Sequence, residues 1–157
     1  MSLRADTDAD LMTGKPLAGR VRGLRLASLA AFVILLIQYG FGMYVNLYVT
    51  VPGADHGQGL GKVISNGPAV LSVHVLLGFL LILAAIGLPV QALIARRWPV
   101  LTASAIALVA IIGAASQGAD FVSQGHAAAS MAMAVLAGVA MLCYGAALYL
   151  LPSPRSA

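Results

Sequence analysis

Four stretches of this chain, residues 26–54, 63–95, 98–119 and 121–154, contain no Asp, Glu, Lys or Arg. A helix needs about 20 mostly apolar residues to cross a bilayer core of ~30 Å, and each stretch is long enough. Hydrocarbon offers no partner to backbone N–H and C=O groups, so a run of this kind enters a membrane as helix. The chain is 157 residues long, 61% hydrophobic and 9% charged, where an ordinary soluble domain is about 25% charged. The expected fold is therefore all-α, an integral membrane up-down-up-down four-helix bundle. Residues 1–22 are expected to be a disordered cytoplasmic tail, 23–151 the transmembrane domain and 152–157 a second cytoplasmic tail.

Punctuation along the chain places the helices. The first is expected over Gly23 to Val51, ending at Pro52-Gly53. Asn66-Gly67-Pro68 opens the second, which runs to about Ala95 and carries Pro89 inside. Arg96-Arg97-Trp98-Pro99 reads as a tight interfacial turn, and the third helix as Val100 to Ala119. A short connection, Asp120 to Gln124, offers Ser123 as the N-cap of a fourth helix that reaches Leu151 and stops at Pro152. The first apolar run is about twice the length of a signal-peptide core and is read as a retained helix.

Of the nine Lys and Arg residues, all but Lys62 fall in the N-terminal segment, the Arg96-Arg97 turn or the C-terminal segment. The positive-inside rule then puts both termini in the cytoplasm and the loops 52–68 and 120–125 outside. The formal net charge of +4 is explained by headgroups and insertion topology rather than by nucleic acid. Composition points to the cytoplasmic membrane of a bacterium. Cys143 is the single cysteine, so it can form no internal disulfide and reads as a packing residue.

Polar side chains within spans are costly and mark function more often than in soluble proteins. Here they gather toward the outward end: Tyr44, Asn46 and Tyr48, then His74, then Ser116, Gln117 and Asp120, then His126. His74 lies six residues past Pro68, about 9 Å along its helix, and His126 three past Ser123, about 5 Å. Each histidine is followed at i+4 by a small residue, Gly78 or Ser130. Small residues at that spacing leave a groove beside the imidazole, and they also serve close helix packing.

The segments Val-Leu-Ser-Val-His74-Val-Leu-Leu-Gly78 and Gln-Gly-His126-Ala-Ala-Ala-Ser130 resemble the second-helix and fourth-helix histidine regions of heme A synthase. The likeness is to one four-helix half of that family. Gly42 to Pro52, with a glycine late in the first helix and a proline beyond it, fits loosely. The resemblance implies heme, with His74 and His126 as iron ligands near the extracytoplasmic side and Gly78 and Ser130 against the macrocycle. Asn46, Tyr44, Gln117 and Asp120 would orient the ligating rings, and Lys62 and His56 would meet the propionates. Three departures stand out. The family's Glu-x-x-His-Arg signature is replaced, with Leu71 and Val75 in the Glu and Arg places; the outward cysteine pair is missing; and one half is present where the family has two. The chain also resembles small, uncharacterised four-helix bacterial membrane proteins.

Two functions follow as expectations. One is a heme-binding, cytochrome-like membrane protein in electron transfer or heme handling. The other is a cofactor-free accessory or assembly subunit of a larger membrane complex, in which His74 hydrogen-bonds within the bundle and His126 sits at the wet interface. Partners are the lipid bilayer and either a second copy of the chain or a larger respiratory membrane complex. No charge near the midplane and no inverted repeat argue against a transporter. The sequence holds no nucleophile–base pair, phosphate-cradling loop or carboxylate dyad, so it assigns no reaction class.

Overall fold

The computed structural model describes residues 3–49, 61–62, 65, 67–124 and 126–152. They form four long helices: α1 (Leu3–Tyr48), α2 (Ala69–Ile94), α3 (Trp98–Gln124) and α4 (Ala127–Leu150). Four stretches are long and apolar enough to cross a membrane: Gly19–Tyr48, Ala69–Ile94, Trp98–Gln124 and Ala127–Leu150. α1 packs on α2 and α4, α2 on α3, and α3 most extensively on α4, which closes a four-helix ring.

One spacing pattern builds that ring. The buried residues step by four, three and four along every helix: Leu24, Ser28, Ala31, Leu35 on α1; Leu81, Ala85, Leu88, Ala92 on α2; Val100, Ser104, Ala107, Ile111 on α3; Ala140, Tyr144, Ala147, Leu151 on α4. A 3.5-residue repeat of this kind keeps one seam facing the neighbours along the whole helix. Half of its members are Ala or Ser, which let backbones approach closely. Large apolar side chains point the other way, with Phe79, Leu83, Val109 and Leu142 more than half exposed. A soluble bundle would bury such residues; an outer surface of this kind suits lipid.

Several helix ends differ from expectation. α1 begins at Leu3, well before the expected Gly23, so residues 3–22 continue the helix instead of forming a disordered tail. The helix runs through Gly14, Pro16 and Gly19, and the Ala, Leu, Met, Lys and Arg residues around them are good helix formers. α3 likewise passes the expected stop at Ala119 and runs to Gln124, because no residue from Asp120 to Gln124 is a Gly or Pro. Ser123 is therefore not the cap of α4. It lies inside α3, where its Oγ donates to Asp120 O at 3.3 Å. The capping position belongs to His126, which makes no side-chain capping bond.

The α2–α3 turn is a Schellman motif. Arg96 N–H donates to Leu93 O and Arg97 N–H to Ala92 O, both at 3.0 Å, which satisfies carbonyls the helix end leaves free. Arg96 takes the left-handed position, with φ 52°. Trp98-Pro99 then opens α3, where a proline loses no hydrogen bond. At the same end of the molecule Arg25 Nη1 donates to Leu151 O at 3.3 Å and Pro152 O at 3.1 Å, tying the end of α4 to α1. Ser130 Oγ near the start of α4 donates to Asn46 Oδ1 near the end of α1 at 2.8 Å, so these two helices run in opposite directions.

Candidate functional site

Followed toward the other end of the bundle, the seam changes composition. On α1 it continues through Gln38, Gly42 and Val45; on α2 back through Gly78, His74 and Leu71; on α3 through Ala114 and Gly118; on α4 back through Ala137, Met133 and Ser130. Glycine and alanine are too small to fill the interior, and it opens. Two contiguous cavities of about 100 and 140 Å³ share Gln38, Gly42, Asn46, His74, Gly78, Ala114, Ala115, Ser130 and Met133. One extends between α1 and α4 past Tyr39 and Met43, and the other between α2 and α3 past Phe79 and Val122.

Three glycines each seat a cavity side chain from another helix. A methyl at Gly42 would lie 3.1 Å from His74 Cε1, one at Gly78 would lie 3.2 Å from Gln38 Nε2, and one at Gly118 would lie 3.2 Å from Met133 Sδ. The imidazole thus rests against the α1 backbone, and the Gln38 amide against α2. From there Gln38 Nε2 donates to His74 O at 2.7 Å. Two buried polar atoms on the cavity residues have no hydrogen-bond partner, His74 Nδ1 and Gln38 Oε1.

The residues expected at a site divide clearly. His74, Gly78, Asn46 and Ser130 come together on the cavity wall. His126 does not: it is exposed at the N-terminus of α4 and lines neither cavity. Tyr44 and Asp120 are exposed and Gln117 half-buried, and none of the three lines the cavity. Tyr44 stacks instead on Tyr48, with ring centroids 5.0 Å apart. Lys62 is exposed, and His56 lies outside the described residues. Gln38, Met133 and Gly118 are site residues that the sequence reading passed over. Extending the four-three seam from the core would have found all three.

A heme held by two histidines needs both imidazoles on one cavity. Here one lines it and the other caps a helix at the surface. Cavities of about 100 and 140 Å³ also fall short of the ~300–1,000 Å³ usual for sizeable ligands. The residues, so arranged, do not fit a bis-histidine heme. Among the described residues no three His, Cys, Asp or Glu side chains converge to hold a metal ion. No known protein family, curated protein or solved structure matches the chain.

Proposed function

We propose that the chain is an accessory or assembly subunit of a larger membrane complex in the bacterial cytoplasmic membrane, working without a resident metal cofactor. It spans the bilayer four times, up-down-up-down, with both termini in the cytoplasm. The orientation is supported by charge: Arg25 and Arg97 lie together beside residues 148–152 at one end of the bundle, as the positive-inside rule requires of a cytoplasmic face.

The observation that carries the functional reading is how the polar side chains within the spans are used. Gln38 bonds α1 to α2 and Ser130 bonds α4 to α1, so they act as links between helices. The second imidazole that the heme reading requires stays at the wet end of α4. The reading is tested by tagging the chain in its native membrane and solubilising gently. A stoichiometric complex on a native gel, whose abundance falls when the chain is deleted, is the expected result. The chain migrating alone, with no membrane complex changed by its deletion, contradicts it.

A further inference from the structure

The cavity around His74 has properties that helix linkage does not account for. Besides Ser28 and Tyr144 in the packed core, the buried polar atoms without partners are His74 Nδ1 and Gln38 Oε1 on the cavity residues, and a bundle stabilised only by packing gains nothing from leaving them so. Nor does it gain from a run of Gly and Ala along the seam that leaves volume empty. Both features are what a ligand site needs: apolar walls with a few convergent polar groups.

We propose that this cavity binds the headgroup of a membrane-soluble quinone. Three observations define the ligand. The first is size: an apolar cavity of about 150 Å³ holds one benzene ring, and the two compartments here, about 100 and 140 Å³, are contiguous, so it is their joined space that takes one substituted ring. The second is access. Every lining residue belongs to a membrane-crossing stretch, and the walls reach the outer surface between helices, where Tyr39, Met43 and Phe79 are exposed. A ligand entering there comes from the hydrocarbon, and a lipid tail on it stays outside.

The third is polarity. With its Oδ1 accepting from Ser130, Asn46 retains an amide N–H₂, and the neutral His74 ring carries one N–H; both can donate to ring carbonyl oxygens. Gln38 Oε1 and the second His74 nitrogen accept, as the hydroxyls of the reduced form would need. A ring with two oxygen functions that exchange acceptor for donor on reduction uses this set in both states. A plain hydrocarbon ring uses none of it. The site goes beyond the accessory-subunit reading and does not depend on it, because it resides in the isolated chain.

The test uses the full chain in detergent with two probes of one shape. Duroquinone is a fully substituted benzoquinone, closed to addition by the Cys143 thiol; durene is the same tetramethyl ring without carbonyls. Saturable binding by calorimetry is expected for duroquinone, at least tenfold tighter than for durene. Ala114→Leu, which fills the cavity, and His74→Phe, which keeps the ring and removes the N–H, should each weaken duroquinone at least tenfold. Val109→Leu, on the exposed face, should not. Equal affinity for the two probes on the unaltered chain overturns the proposal, whether or not the variants fold. So does non-saturable partitioning into the micelle, or duroquinone binding unchanged in a folded Ala114→Leu variant.

Discussion

At the scale of single residues, the cavity end of the bundle depends on glycine. Gly42 and Gly78 each leave room for the side chain set against them; added methyls would meet His74 and Gln38 at 3.1 and 3.2 Å, so the neighbour must shift to admit them. Gly42→Ala should push the imidazole off α1, and Gly78→Ala should displace the amide that bonds His74 O. Each is expected to cost about 1–3 kcal/mol, the usual range for overpacking. Thermal unfolding in detergent measures it, with Gly23→Ala, where the added methyl meets nothing within 4 Å, as the comparison that carries only the helix-propensity gain of about 1 kcal/mol. Gln38→Leu should cost less, about 0.6 kcal/mol, because one hydrogen bond between membrane helices contributes little.

At the scale of the helix, two features make separate predictions. The first is the seam. Ala85 and Ala140 are fully buried on it, so Ala85→Leu or Ala140→Leu should force neighbouring helices apart at a cost of about 1–3 kcal/mol. Leu142→Ala, on the exposed side of α4, should change stability little. The second is the Schellman turn, where Arg96 holds φ 52°. A side chain in that region costs roughly 1–2 kcal/mol, and glycine avoids it. Arg96→Gly is therefore expected to stabilise the chain by about 1 kcal/mol in the same unfolding assay.

The helices were legible in the sequence for a simple reason: charge is excluded from hydrocarbon, so its absence marks a span directly. Their ends were harder. Ser123 has the chemistry of a cap, but Asp120 to Gln124 contains no breaker and α3 runs through it. The same one-turn error misplaced His126. The i+4 stripe that carries His74 to Gly78 lies within α2, where helical periodicity applies. The matching stripe from His126 fails at its first member, since His126 stands outside the helix as its cap and helical periodicity does not aim its side chain. Gln38 was missed for a different reason. It lies deeper than the polar residues grouped at the outward end, and it shows its role only when the seam is followed up from Leu35.

The whole molecule joins an apolar exterior, a cationic end and, in the opposite half, an apolar cavity with a few polar groups on its wall. The proposed orientation rests on the first two. In a Cys143→Ala background, a membrane-impermeant thiol reagent added to intact cells should label Gln124→Cys and leave Trp98→Cys unlabelled until the membrane is opened. The reverse pattern contradicts the assigned topology. What the cavity half does rests on one imidazole at its wall and a second outside it. The visible spectrum of the chain, purified from heme-sufficient cells and again after added hemin, tests that arrangement most directly. The expected result is no Soret band and no sharp reduced α and β bands. Such bands, lost in both His74→Ala and His126→Ala, would show that the two rings meet across one iron, and would contradict it.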